Sequence, residues 1–230
     1  TVNTDSTTGR SSAYLSVNRF DYEVEISGET PRIYADAAPS FGRSDQMWLD
    51  LRDYAGDLET AVAALPDEGG VIFVPAGTWS VDATVTINKP SVSIIGEGLA
   101  SILQPEDVDE YDLIQVNAPN FHLRDIVVDG RLAPASNGVP GTPGETACLV
   151  IGGVEGYADV HGARLQDVYI HGGPLYGLHL IDASNVLITS CMIQFNRGKG
   201  VSIHSPDSGS SAITFIAGEI GQNGIVGLEA

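Results

Sequence analysis

The sequence predicts an all-β solenoid, a right-handed parallel β-helix with a short N-terminal capping helix, and three observations predict it. Short Val- and Ile-rich segments of alternating polarity recur along the chain, broken by Gly, Asn or Asp. Their equivalent residues, Ile94, Leu123, Leu165, Ile188 and Phe215, are separated by steps of 29, 42, 23 and 27 residues. Outside residues 57–65 no segment carries the i, i+3, i+4, i+7 stripe of an amphipathic helix. Strands without helical crossovers can stack on their own copies about 4.8 Å away, burying one continuous apolar interior.

Residues 1–44 precede the repeat and read as an attachment segment. Ala13 to Ser27 alternates weakly through Tyr14, Val17, Phe20, Tyr22, Val24 and Ile26, which predicts one or two strands. The first dozen residues, rich in Thr and Ser, read as an arm or linker. The second domain, residues 45–230, is the predicted β-helix, with coils from about residue 70. Asp57 can N-cap a helix over about 57–65 whose Leu58, Val62 and Leu65 share a face, ended by Pro66 and then Gly69-Gly70. Directly before the first coil, such a helix would cover the open end of the solenoid.

The template coil is Phe121 to Gly130. Phe121 and Leu123 face inward, Asp125 makes a bend, and Ile126 and Val128 continue inward. Ala163 to Gly172 repeats it, with Asp167 at the bend. Val186 to Ile193 repeats it again, with Ser190 there, and Ile213 to Ile220 brings Ala217 to the slot. Upstream, Val92 to Gly96 fits the first half. A second family of short strands alternates with these at 112–116, 147–151, 177–181, 200–204 and 224–228. The 42-residue step fits the scheme if Arg131 to Glu145 and Val154 to Gly162 are loops thrown outward. The chain opens at Thr1 without a charged-then-apolar leader and reads as processed or trimmed. It ends at Gly227-Leu228-Glu229-Ala230 in mid-pattern, which predicts sequence beyond residue 230.

Charge narrows the partners. The 30 acidic and 11 basic residues give a net charge of −19, and Lys89 and Lys199 are the sole lysines. Repulsion of that size opposes binding to nucleic-acid phosphates and to an anionic membrane. Self-repulsion weakens the fold at low ionic strength, whereas molar salt shortens the Debye length to about 3 Å. The composition therefore points to a halophilic setting, a haloarchaeon or its virus, with an ordinary acidic extracellular protein as the alternative. Two cysteines, Cys148 and Cys191, make no disulfide framework. Cys191 takes the place of Ile126 in the template and reads as a buried hydrophobe. No apolar run approaches the roughly 20 residues of a membrane-spanning helix, so no membrane insertion is expected.

The order of the helix at 57–65, the strand Gly69-Gly70-Val71-Ile72-Phe73-Val74-Pro75-Ala76-Gly77-Thr78-Trp79 and then Ser91 to Gly98 resembles the start of pectate-lyase-like β-helices. That superfamily includes pectinases, epimerases and viral tailspikes, and the resemblance covers roughly residues 45 to 230. It implies the fold and leaves the activity open among lyases, hydrolases, epimerases and non-catalytic binders. The tailspike likeness implies a homo-oligomer, a trimer. Arg43-Ser44-Asp45 matches the upstream Asp-rich motif of the superfamily poorly. Arg197-Gly198-Lys199 is superficially similar to the basic motif of polygalacturonases, but their paired-Asp and Gly-His-Gly motifs are missing. No catalytic residue is carried over from them, nor from pectate lyases, whose Arg and Ca²⁺-binding Asp cluster has no clear counterpart. No cofactor is expected unless the protein is an enzyme of this kind, in which case the resemblance implies Ca²⁺.

Two sets of residues could carry chemistry. Asp125 and Asp167 share a slot in consecutive coils, so their carboxylates should stand about one strand spacing apart. As catalytic candidates they could share a proton, hold a cation or act on a sugar. Alternatively, Asp at a strand bend bonds nearby backbone amides, which Ser190 and Ala217 in the same slot favour. The outward positions form rows, Val127–Tyr169–Met192–Glu219 beside Asp129–His171–Gln194–Gly221. Asp129, Tyr169, His171 and Met192 thus make a candidate ligand-binding face, flat apolar area beside polar tips, suited to a glycan. Plain solvated surface is the other reading. The histidines His122, His161, His171, His179 and His204 form no metal set. His179 and His204 are expected in equivalent slots.

Two functions follow as expectations. One is an extracellular or virion-surface protein, a spike, receptor-binding or structural element presenting a face to a glycan or glycoprotein. The other is a polysaccharide lyase, glycoside hydrolase or epimerase acting on acidic polysaccharide.

Overall fold

The computed structural model describes the strands at 2–5, 10–17, 20–26 and 32–35, and residues 47–106, 111–131, 146–152, 160–204, 211–224 and 226–229. It divides into two compact units, Thr1–Gln46 and Met47–Ala230. The first holds a four-stranded antiparallel sheet whose strands follow chain order, Val2–Asp5, Arg10–Val17, Phe20–Ile26 and Arg32–Ala35. One or two strands were expected there. The two outer strands escape sequence reading because Val-Asn-Thr-Asp and Arg-Ile-Tyr-Ala are too short to show alternation, and pairing with the central hairpin defines them.

The second unit is a parallel β-solenoid of about six turns. Each turn contributes to three faces. Face one stacks Met47–Asp50, Gly70–Phe73, Val92–Ile95 and the first halves of His122–Asp129, Arg164–His171, Leu187–Gln194 and Thr214–Gly221. Face two stacks Gly77–Val81, Ser101–Pro105 and the second halves of those four long strands. Face three stacks Val85–Ile87, Ile114–Val116, Ala147–Gly152, Tyr176–Ile181, Lys199–His204 and Val226–Glu229. Parts of the expected excursions at 131–145 and 154–162 lie outside the described residues. At the end of the second, Val160–His161 pairs in parallel with Ala183–Ser184.

The register places like on like. Leu49, Ile72, Ile94, Leu123, Leu165, Ile188 and Phe215 form one continuous column on face one. All but the last are buried, and Phe215 is 37% exposed because it lies in the final coil. On face two the matching column is Trp79, Leu103, Val128, Ile170, Ile193 and Ile220. Full burial of each such aliphatic side chain contributes about 1.5–3 kcal/mol, so stacked columns are the main stabilising element of the fold.

Corners are made by residues in the left-handed region. At the corner entering face one, Gly69, Ser91, Asn120, Gly162, Asn185 and Ala212 all have positive φ, from 52° to 93°. There the Asn120 N–H donates to the His161 carbonyl, Gly162 to Ser184 and Asn185 to Ser211, at 2.8–3.1 Å. Asn, Asp and Gly are favoured in such positions because they tolerate this backbone best. Gly69 is required for a second reason, since a Cβ there would strike the Pro90 carbonyl. Farther round, Asn196 is fully buried. Its Oδ1 accepts from the Gly173 N–H at 2.8 Å, and its Nδ2 donates to Asn223 Oδ1 at 2.9 Å, so stacked amides brace the turn into face three.

The helix Leu58–Ala64 begins where Asp57 accepts from the Thr60 N–H at 3.0 Å. The Thr60 hydroxyl, and then that backbone bond, hold the Asp57 carboxyl below its ordinary pKa. Leu58, Ala61, Val62 and Leu65 enter the solenoid core, as the capping-helix reading requires. At its other end, Lys89 Nζ donates to the carbonyls of Val62, Ala63 and Leu65 at 3.1, 2.7 and 2.5 Å, supplying partners the helix cannot. Among the described residues no helix is long and apolar enough to cross a membrane.

Candidate functional site

The two outward rows expected on face two exist in the predicted register. Val127, Tyr169, Met192 and Glu219 align, as do Asp129, His171, Gln194 and Gly221. Alternation puts these side chains outside because Val128 and Ile170 between them are buried. The row is open from Tyr169 onward, since Val127 is buried and Met192 is 37% exposed.

Three of the four face-two candidates interlock. The Tyr169 and His171 rings stack with centroids 4.5 Å apart and planes at 29°. His171 Nδ1 lies 3.4 Å from Asp129 Oδ1, which also accepts the Arg131 N–H at 2.7 Å. Burial, and then the Asp129 charge, push the Tyr169 hydroxyl above its ordinary pKa, so it remains a neutral donor. Met192 sits one rung away from Tyr169 and extends the apolar surface. The result is a half-buried aromatic pair with a carboxylate at its edge, on a rigid sheet rather than on a loop.

Asp125 and Asp167 occupy adjacent rungs, because Arg124 pairs with Gln166 and Ile126 with Val168. Both are left-handed, with φ of 53° and 52°, and Ser190 and Ala217 repeat that conformation at 54° and 51°. The bend thus demands a backbone conformation, and Asp meets it as a residue that tolerates this region. Asp167 Oδ2 accepts from Gln166 Nε2 at 3.1 Å, and Asp125 Oδ2 lies 3.7 Å from Arg124 Nε.

The histidines divide differently from the expectation. His179 pairs with Ser202, and His204 with Ile181, so the two are offset by two residues and do not stack. The alignment follows Tyr176 on Lys199, which sets His179 opposite Ser202. Sequence reading also missed that His179, though outward, is buried, with its ring 4.4 Å from that of Tyr176, over which Lys199 Nζ lies at 5.3 Å. Only the register between strands reveals that cluster.

Cys148 and Cys191 are free, buried thiols, their pKa values raised chiefly by burial. Among the described residues no three His, Cys, Asp or Glu side chains converge as a cation site requires. A cleft of about 340 Å³ lies between the helix and the first coil, lined by Asp57, Glu59, Trp79, Asp82 and Glu106 among others. Trp79 is held there by donating from Nε1 to the Pro75 carbonyl at 2.9 Å.

No family model and no curated protein matches the chain. Among solved structures, ORF18 of Geobacillus virus E2 superposes with a TM-score of 0.59 at 15% identity, over 86% of this chain and 42% of that one. This chain thus spans less than half the length of the viral protein. The mannuronan C-5 epimerase AlgE6 A-module of Azotobacter vinelandii matches at 13% identity with a TM-score of 0.31, over 76% of this chain and 77% of that one. At these identities the likeness to the viral protein carries the fold, a parallel β-solenoid, and stops there.

Proposed function

We propose that this chain is an extracellular or virion-surface β-helix protein, a spike, receptor-binding or structural element whose face two binds a glycan. The observation that carries the reading is the stacked Tyr169–His171 pair with Asp129 at its edge and Met192 beside it. A pyranose has an apolar face and a rim of hydroxyls. A half-buried Tyr–His ring pair with polar tips and a carboxylate at its edge complements both. The rungs fix these side chains before any ligand arrives, which lowers the entropic cost of binding.

The β-helix belongs, in our proposal, to the pectate-lyase-like group and assembles as a homotrimer, with residues 1–44 as the attachment segment and its acidic surface adapted to high salt. A virus-encoded neighbour of the same fold accords with a virion role. Screening glycan oligomers against the wild type and Tyr169→Ala tests the binding face. At least a ten-fold loss of affinity in the variant is expected, and equal binding by both proteins would overturn it. Sedimentation in molar KCl tests the assembly, where a monodisperse monomer would count against the trimer.

A further inference from the structure

The basic residues of this acidic chain are few, 11 against 30 acidic, and most of those described in the solenoid have structural partners. Arg52 pairs with Asp50 through Nη2 at 2.6 Å. Lys89 holds the helix carbonyls. Arg131 Nη1 donates to the carbonyls of Pro105 and Glu106 at 3.1 and 2.5 Å. Lys199 lies over the Tyr176 ring.

Arg124 and Arg164 differ. Both project outward from face one, beside the buried Leu123 and Leu165, and Arg164 is the register partner of His122. Rungs about 4.8 Å apart and alternate residues about 7 Å apart place His122, Arg124 and Arg164 in one small patch. Among the described residues nothing holds the Arg164 side chain. Arg124 Nε is shielded from solvent and has no hydrogen-bond acceptor. Its neighbour Asp125 Oδ2, at 3.7 Å, is beyond hydrogen-bond reach. Burial, then Arg164 and Arg124, hold the His122 imidazole below its ordinary pKa, which registers the local positive field.

A shielded donor without an acceptor, and two guanidinium groups diagonal to each other around one imidazole, are costly in a free protein. An oxyanion placed between them relieves both, because a guanidinium presents a planar fork of donors matched to carboxylate and sulfate oxygens. We propose that His122, Arg124 and Arg164 form a subsite for an oxyanion, a carboxylate or sulfate ester carried by an acidic ligand. The subsite lies across the Asp125/Asp167 bend from the aromatic face and does not depend on the glycan reading of that face. It reverses locally the overall charge of the molecule, so the ligand is selected by contact rather than by long-range attraction.

The test measures affinity by calorimetry at constant ionic strength. A hexuronate oligosaccharide, a sulfated oligosaccharide, an uncharged one of matched length and sodium sulfate are titrated into wild type and Arg124→Gln/Arg164→Gln. Both substitutions are on the surface, and an unchanged urea midpoint verifies the fold. The charged oligosaccharides are expected to bind at least ten-fold tighter than the uncharged one. The double variant should lose at least ten-fold towards them, and the His122 imidazole, followed by NMR, should titrate at higher pH in the complex. Competition by sodium sulfate would identify a free anion as sufficient, and its failure to compete would assign recognition to the sugar-borne group. Equal binding of charged and uncharged oligosaccharides, undiminished binding by the double variant, or no binding of any charged probe would overturn the proposal. Tyr169→Ala, run in parallel with the uncharged probe, reports separately on face two.

Discussion

Replacing Asp167 separates a conformational role from a chemical one. Its φ is 52°, and the three equivalent residues Asp125, Ser190 and Ala217 lie between 51° and 54°. Holding an ordinary L-residue left-handed costs about 1–2 kcal/mol, more for a β-branched side chain, and strained positions reach about 3 kcal/mol. Asp167→Val should therefore destabilise the solenoid by about 1–3 kcal/mol, lowering Tm by about 2–12 °C for a domain of this size. Asp167→Asn keeps a side chain that tolerates the region and should stay within about 0.5 kcal/mol of wild type. Asp167→Gly should also be mild, since relief of the left-handed strain offsets the greater freedom of the unfolded chain. Urea titrations followed by circular dichroism rank the three. If Asn costs as much as Val, the carboxylate itself matters and the conformational account of Asp125 and Asp167 fails. If Val costs nothing, the bend does not demand what the backbone angles imply.

Further outcomes follow from the same structure. Leu165→Ala, at a site 1% exposed in the middle of the column, should cost about 2–5 kcal/mol in urea, and Phe215→Ala in the last coil distinctly less. Lys89→Met removes the donor shared by three helix carbonyls and should cost about 1.5–3 kcal/mol by thermal melting. Burial raises the Asp112 pKa above 3.8 despite the Ala147 N–H bonded to it at 2.7 Å. Between 3.8 and that raised value the folded state binds more protons than the unfolded one, so this group's contribution weakens as pH rises through the window. Asp112→Asn should therefore be more stable than wild type at pH 7, and comparing the two urea midpoints at pH 7 and near pH 3.5 should show the advantage shrinking.

Much of the solenoid was legible because its signal is periodic. Leu123, Leu165 and Ile188 share a column, and the bend falls where Asp125, Asp167, Ser190 and Ala217 interrupt the alternation. The Asp57 cap was equally plain, as capping is a local rule. The second-face strands of the first two turns were not read. In those turns Val74-Pro75-Ala76 and the stretch Gly96–Ala100 separate the half-strands that His122–Asp129 joins through a single residue. The amide stack of Asn196 on Asn223 was missed because two copies make no pattern in one sequence. The face-two candidates were found as rows because outward residues alternate with a recognisable core, whereas their interlocking is geometry that spacing does not encode. The Arg124 and Arg164 patch went unread for a related reason. An Arg in a strand looks like solvated surface until the structure shows that its guanidinium nitrogen is shielded and has no acceptor.

The register itself can be measured by cross-linking across one rung. Gln166 and Thr189 are partners on face one, both turned outward, so Gln166→Cys/Thr189→Cys places two thiols one strand spacing apart. At about 4.8 Å between Cα atoms a disulfide closes without backbone movement. Gln166→Cys/Leu187→Cys, displaced by two residues, sets the Cα atoms about 8 Å apart, beyond the roughly 7 Å limit. Mild oxidation should cross-link the first pair nearly completely and the second hardly at all, as read by mass spectrometry of peptides cleaved before Asp167 and Asp182, which part position 166 from positions 187 and 189. Closure of the displaced pair in preference to the aligned one would mean that the rungs do not stack as described.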